Sequence, residues 1–145
     1  MSTPSVRLTL DEASGLYQPG ERLTGRFMVD GSKPWAVRAA ELSVLWYTAG
    51  QGEEDFSVHY FDRLVDEPGR PLDLRVPRRF ATVLPQSPWS YDGRIVKVCW
   101  CVRLRLTLLP GNESLTEIPF RLGNVPAVGE SEGEGDESQE SESLR

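Results

Sequence analysis

Residues 94–108 read Arg-Ile-Val-Lys-Val-Cys-Trp-Cys-Val-Arg-Leu-Arg-Leu-Thr-Leu, and this stretch decides the fold class. Large apolar side chains occupy every second position from Val96 to Leu108, with Trp100 near the middle. Strict alternation predicts one long β-strand with one buried side. At about 3.3 Å per residue the strand runs on the order of 45 Å, so a large sheet must cover its apolar side. The opposite parity predicts a surface, and it carries Lys97, Cys99, Cys101, Arg103 and Arg105.

Shorter alternating segments precede and follow the long strand, separated by stretches rich in turn residues. Together with it they predict about seven strands, at residues 6–10, 22–29, 40–46, 56–60, 79–84, 94–108 and 118–122. In the fourth of these, Phe56, Val58 and Tyr60 share one parity. The stretch 66–77 carries three prolines and a glycine and predicts an irregular crossing. No segment has helical periodicity of useful length, so the sequence predicts an all-β, antiparallel β-sandwich.

The formal charge of the 145-residue chain is −6, and the excess lies at the carboxyl end. Residues 130–145 hold seven carboxylates and one arginine, whereas residues 1–129 hold fifteen acids and fifteen bases. We expect a sandwich domain over residues 1–128 and an acidic, disordered tail over residues 129–145. A neutral domain has no net field to attract nucleic acid, so no nucleic-acid partner is predicted. The start lacks a leader pattern and no run is long enough to cross a bilayer, which predicts a cytoplasmic protein.

Two blocks of turn and strand residues form a familiar pattern. The first consists of Tyr17, Pro19, Gly20, Glu21 and Gly25, and the second runs from Phe80-Ala-Thr-Val-Leu-Pro85 through Pro88 and Ser90-Tyr-Asp-Gly93 to the strand with Trp100 and on to Phe120. Both resemble arrestin-like domains, whose first signature is Y-x-P-G-E-x-x-x-G, and the likeness extends in the correct order over residues 6–125. It implies the immunoglobulin-like sandwich of an arrestin amino-terminal domain, also found in proteins of the Vps26 and Spo0M type. Typical members carry two sandwiches in tandem, whereas this sequence predicts one.

The resemblance implies a non-enzymatic protein-interaction or scaffolding module with a protein partner and no cofactor, catalytic residue or metal. Outward-facing basic residues can bind carboxylate or phosphate, and exposed tryptophans can either cap the core or anchor a partner. The predicted partner-binding residues are Lys97, Arg103, Arg105, Arg26, Trp35 and Trp89. The alternative for the arginines is an ordinary solvated sheet on which cross-strand acids such as Glu41 and Glu117 neutralise them. A further hypothesis is that the acidic tail folds back over the basic face as an intramolecular competitor.

Two rival functions remain open at this point. Cys99 and Cys101 with His59 offer thiolate and imidazole groups to a metal such as zinc or to thiol chemistry, although cysteines at alternate strand positions usually serve as small packing residues. An arginine-rich sheet face can also bind anionic lipid, which would make the protein peripheral to a membrane. The identity of the partner and the oligomeric state do not follow from the sequence.

Overall fold

The computed structural model describes residues 5–30, 37–52, 54–109 and 111–123. Strands and turns make up this part of the chain, and it contains no helix. The strands are β1 (Ser5–Leu10), β2 (Leu16–Tyr17), β3 (Arg22–Asp30), β4 (Val37–Gly50), β5 (Phe56–Val65), β6 (Arg78–Val83), β7 (Tyr91–Asp92), β8 (Val96–Leu108) and β9 (Glu113–Leu122). The predicted all-β class is confirmed. The predicted tail at 129–145 and Trp35 lie outside the described residues.

Two sheets face each other. The small sheet has the strand order β1-β3-β6. The large sheet has the strand order β2-β9-β8-β4-β5, and β7 pairs with β8 as an additional short strand. All pairings are antiparallel except that of β2 with β9, which is parallel. The predicted long strand is β8, and it lies at the centre of the large sheet between β4 and β9. The seven longer strands correspond to the seven predicted ones, and β2 and β7 are two-residue additions.

The core lies between the sheets and follows the predicted parity. The alternate residues of β8 from Trp100 to Leu106 are at most 1% exposed, and they face buried residues of β3 such as Leu23 and Phe27. Apolar side chains that leave water in this way supply the main stabilisation of a sandwich. Tyr17 closes one end of the core with its ring set edge-on to Phe120, 5.4 Å between centroids.

The two signature blocks meet in space. Gly20, at a φ of 82°, forms the turn before β3. Its backbone N–H donates to the Leu84 carbonyl at 3.1 Å, and the Leu84 N–H donates to the Glu21 carbonyl at 2.9 Å. The Glu21 carboxylate accepts from the Gln18 N–H at 2.7 Å. These contacts give the turn of the first block a structural role, because they join it to the end of β6.

The irregular crossing predicted at 66–77 is present, and it also completes the core. Leu72 and Leu74 are 4% and 3% exposed. The Leu74 carbonyl accepts from the Val29 N–H at 2.8 Å, and the Asp66 carboxylate accepts from the Leu72 N–H at 2.8 Å. The crossing therefore fills the gap between β5 and β3, a packing role that its proline content did not indicate.

A β-bulge in β5 changes which side chains face the core. Val44 of β4 is opposite Tyr60, but the next residue, Leu45, is opposite Val58, so His59 is the extra residue. An extra residue shifts the side-chain alternation by one position. Tyr60 consequently packs against the core, while Phe56 and Val58 point to the other side of the sheet. The shared parity predicted for these three residues does not translate into a shared face.

Strand β9 begins five residues before the predicted start at 118. Ser114 and Thr116 lie opposite the buried Leu106 and Leu104, so polar residues occupy its core-facing positions there, whereas Leu115 points outward. Because these inward positions are polar, the first half of β9 lacks the apolar alternation by which the other strands were predicted. Pairing with β8 in a hairpin extends it nonetheless.

Candidate partner-binding surface

The surface of interest is the side of the large sheet that points away from the small sheet, here called the outer face. In β8, Trp100 and Val102 point into the core, so Cys101 and Arg103 point outward. Cross-strand register extends this assignment to β4, β5 and β9, because directly opposed residues share a face. The outward side chains form a grid of four columns in the order β5, β4, β8, β9.

One end of the outer face is apolar. Phe56, Val58 and Phe61 of β5 are 56%, 43% and 53% exposed. Beside them Leu45 and Cys101 are buried, although they point away from the core. We call this group the apolar block, and its members are Leu45, Tyr47, Phe56, Val58, Phe61, Cys99, Cys101 and Pro119. The outer side of an antiparallel sheet is normally polar, so an uncharged aromatic and aliphatic surface here is the unusual feature.

The other end of the outer face carries charges that are paired with one another. Glu41 of β4 accepts a hydrogen bond from Arg63 Nε at 3.0 Å and lies 3.9 Å from Arg105 Nη1. Glu117 of β9 accepts from Arg103 Nε at 2.6 Å. Exposed ion pairs contribute little stability, but they offset the positive charge of the arginines. Two carboxylates thus lie among three guanidinium groups and offset part of their positive charge, as in the solvated-sheet alternative.

The other predicted basic residues lie apart from Arg103 and Arg105. Lys97 is at the opposite end of β8, where its Nζ lies 3.5 Å from Asp92. Arg26 belongs to β3, so it lies in the small sheet on the other side of the sandwich. The structure thus brings only Arg103 and Arg105 together on β8, and a single basic patch that includes Arg26 is not formed. The binding roles of the four residues stay predictions.

The tryptophans predicted to bind a partner are outside the grid. Trp89 is 43% exposed and donates from Nε1 to the Gln86 carbonyl at 2.9 Å. This hydrogen bond fixes the ring against its own loop. Trp35 lies outside the described residues. A partner-binding role for either residue stays a prediction.

Cys99, Cys101 and His59 do not converge on one point. The cysteines point to the outer face, whereas His59 points toward the small sheet, with Nε2 2.8 Å from the Val83 carbonyl and its ring 6.2 Å from that of Trp100. The large sheet therefore separates the imidazole from both thiols. Across the described residues, no group of three His, Cys, Asp or Glu side chains is placed to hold a metal ion. The metal-binding alternative lacks the geometry that it requires.

Burial makes the two cysteines chemically different. It raises the pKa of the Cys101 thiol from 9.0 to about 11, because the surrounding apolar block disfavours a thiolate. Cys99 is only partly buried. Because the thiolate is the reactive form, we expect an alkylating reagent at pH 8 to modify Cys99 in the native protein and Cys101 only after unfolding. Mass spectrometry of digested protein measures the alkylation of each cysteine. Equal alkylation of the two in the native state would contradict the burial of Cys101.

The same pKa shift predicts a pH dependence of stability. The folded state holds the Cys101 proton more tightly than the unfolded state, so the free energy of unfolding falls as pH rises from about 9 to about 11. Burial also raises the pKa of Tyr17, which acts in the same direction. Urea unfolding across this pH range is expected to show a smaller fall in Cys101→Ala than in the wild type. A fall in Cys101→Ala that equals the fall in the wild type would contradict the contribution of Cys101.

The apolar block escaped prediction because its outward position depends on pairing. Leu45 and Tyr47 alternate with Val44 and Trp46. The sequence of β4 from 44 to 47 is therefore apolar on both sides of the strand. A strand segment that is apolar on both sides indicates burial or contact on both sides. That signal is present in the sequence, and it points to the outer face.

Of three comparisons with known proteins, the one with solved structures finds a match. Neither the protein-family models nor the curated proteins contain a match. In the part of the chain that is described, no helix is long and apolar enough to span a membrane. Among solved structures, the chain is similar to Spo0M, a sporulation control protein from Bacillus subtilis, with a TM-score of 0.61 and 16% sequence identity. The match covers 86% of this chain and 51% of that one, so the chain spans about half the length of Spo0M. The sandwich has the arrestin-like fold that the two signature blocks predicted.

Proposed function

We propose that the protein is a non-enzymatic interaction module that binds a protein partner through the apolar block. The observation that carries this proposal is the exposure of Phe56 and Phe61, each more than half accessible, on a sheet face that also buries Leu45 and Cys101. Folded monomers rarely leave contiguous aromatic surface in water unless it binds something. Aromatic side chains at the centre of an interface also contribute most of the binding energy.

The charges next to the block favour a protein over an anionic partner. Arg103 hydrogen-bonds Glu117 and also lies over the Phe56 ring, 5.8 Å from its centroid. Its guanidinium is thus already engaged on two sides. A nucleic acid or an anionic membrane would have to compete with these contacts, because both bind through basic groups whose charge is available. A neutral apolar surface bordered by ion pairs is instead typical of protein interfaces.

The partner is expected to bind on the outer face and not by strand addition to β5. The bulge at His59 interrupts the regular spacing of backbone groups along that edge. Asp62 lies opposite the core residue Leu42, so its carboxylate is on the inner side of the edge strand. Bulges and inward charges are the devices by which proteins prevent edge pairing. The face next to this protected edge carries the apolar surface.

The experiment compares capture of partners from extract of the native cells by tagged protein and by Phe56→Ser/Phe61→Ser. The double variant is expected to lose the specific partner, because it removes most of the exposed apolar area of the block. Ile95→Ser is the matched control, since Ile95 is 66% exposed but lies in the turn before β8. Circular dichroism melting checks that each variant folds. Equal capture by the double variant and the wild type would refute a role for the block.

Arg103→Glu/Arg105→Glu tests the arginine prediction in the same assay. Loss of the partner in this variant, with capture retained in Phe56→Ser/Phe61→Ser, would assign binding to the charges. Sedimentation with anionic vesicles, reversed by salt, would favour the lipid alternative. We expect neither result, because the arginines are already paired with Glu117 and Glu41.

A further inference from the structure

The side of the small sheet that points away from the core carries an excess of positive charge. Leu23 and Phe27 of β3 are buried in the core, so Arg22 and Arg26 point away from it. Cross-strand register places further charged side chains of β1 and β6 on the same side. We call this surface the arginine face, and its charged members are Arg7, Arg22, Arg26, Arg79, Asp11 and Asp30.

Two of these four arginines have no carboxylate partner within the described part of the chain. Arg79 Nη2 donates to the Asp11 carboxylate at 2.7 Å, and Arg7 Nε lies 3.4 Å from Asp30. Arg22 and Arg26 form no ion pair there, and Arg26 lies directly opposite Arg79. Like charges directly opposite each other on a sheet are destabilising. The arginine face can therefore accept carboxylate groups at Arg22 and Arg26.

We propose that the acidic tail of this chain occupies the arginine face. Its seven carboxylates lie between Glu130 and Glu142, and its one basic residue is Arg145. Acids stand at positions 130, 132, 134 and 136. Alternate residues of an extended segment point to the same side, so these four carboxylates can face the arginines together. The proposal is independent of the apolar block, which lies on the other side of the sandwich.

The last described residue, Gly123, lies within reach of the arginine face. Its N–H donates to the Tyr17 carbonyl at 2.9 Å. Tyr17 precedes Arg22 by five residues, which span at most about 18 Å. Glu130 follows Gly123 by seven residues, which span up to about 25 Å, and later carboxylates have a longer reach. The carboxylates of the tail can therefore contact Arg22 without a change in the sandwich.

Attachment to the same chain favours the tail over a free anion as the occupant. A tethered segment meets its site at an effective concentration in the millimolar range, so individually weak contacts are sufficient. The outer face of the large sheet is less favourable for the tail, because Arg103 and Arg105 already lie beside Glu117 and Glu41. Salt screens contacts between exposed charges, so the docked state is expected at low ionic strength.

Paramagnetic relaxation in NMR spectra of the full chain measures where the tail lies. A nitroxide label is attached to Ser138→Cys in a Cys99→Ser background, in which the buried Cys101 is the only other thiol. At low salt the label is expected to broaden the amide signals of Thr24 and Ala81 on the arginine face more than that of Ser43 on the outer face. The broadening is expected to be lost at about 1 M salt, where the Debye length falls to about 3 Å.

Two charge-matched double variants test the contact itself. Arg22→Gln/Arg26→Gln is expected to abolish the broadening of the arginine face. Arg94→Gln/Arg121→Gln is the matched control, because it removes the same charge outside this face and Arg121 is two residues from Gly123. The control is expected to keep the broadening, and circular dichroism melting verifies that both variants fold.

Three results would overturn the docking of the tail on its own arginine face. The first is a spectrum without broadening of this face at low salt, or with stronger broadening of the outer face. The second is an equal loss of broadening in the two double variants. The third comes from a mixture of isotope-labelled protein without nitroxide and nitroxide-labelled protein without isotope, because broadening there would place the tail on a second copy.

Discussion

Trp100→Ala is expected to lower the free energy of unfolding by about 3–5 kcal/mol, the range found when a large core aromatic is removed. Trp100 is 1% exposed and lies at the centre of the long strand β8. Its ring centroid is 5.7 Å from that of Phe120, and its Nε1 donates to the Pro88 carbonyl at 2.8 Å. The substitution leaves a cavity between the sheets and an unpaired carbonyl in the loop before β7. Denaturant unfolding followed by circular dichroism measures the loss.

Two further variants separate the causes of this effect. Trp100→Phe keeps much of the ring but removes the hydrogen bond to Pro88, so an intermediate loss is expected. Trp89→Ala is the matched control, because Trp89 is 43% exposed and its Nε1 donates to the Gln86 carbonyl of its own loop. It is expected to cost less than half as much. A loss for Trp100→Ala that equals the loss for Trp89→Ala would contradict the central position of Trp100.

Gly25→Val is expected to cost about 3 kcal/mol or more, because there is no room for a side chain at this position. A Cβ atom on Gly25 would lie 2.5 Å from the Thr9 carbonyl oxygen and 2.6 Å from Cζ of Phe80. Gly25 sits in β3 between β1 and β6, so the clash involves both neighbouring strands. Equilibrium unfolding in urea, compared with the wild type, gives the effect.

The control variants distinguish lack of space from backbone strain. Gly15→Ala is expected to cost only about 1 kcal/mol, since Gly15 has a φ of +72° but no atom within 4 Å of the position that the new methyl group would take. Phe80→Leu in the Gly25→Ala background relieves the contact with the ring but not the contact with the Thr9 backbone. Full rescue by Phe80→Leu would show that the ring alone limits this position.

The fold could be predicted from the sequence wherever one face of a strand is apolar and the other polar. The parity of β8 placed Trp100 in the core, and the alternation in β3 placed Leu23 and Phe27 there. The signature blocks identified the arrestin-like fold, and the first block includes Gly25, a position that has no room for a side chain. These inferences depend on local patterns that strand geometry imposes directly.

The site could not be predicted because it depends on register and on an irregularity. The bulge at His59 moves Phe56 and Val58 to the outer face, and no local pattern marks that bulge. Pairing of the arginines with Glu41 and Glu117 was one of two alternatives, and the choice between them requires knowledge that β9 starts at Glu113 and pairs with β8 in that register. Basic residues on one parity of a strand indicate a surface, but the net charge of that surface depends on the residues of the neighbouring strands.

The strand order also determines when the sandwich can close during synthesis. β4 lies between β5, which follows it directly, and β8, which ends at Leu108. Likewise β3 cannot complete its pairing until β6 has been synthesised, which happens only after the crossing at 66–77. Both early strands therefore leave the ribosome with one hydrogen-bonding edge and an apolar side unpaired, and at about 5–20 residues per second this exposure lasts for seconds. A nascent chain of this protein is expected to need shielding by chaperones until the β8–β9 hairpin has emerged.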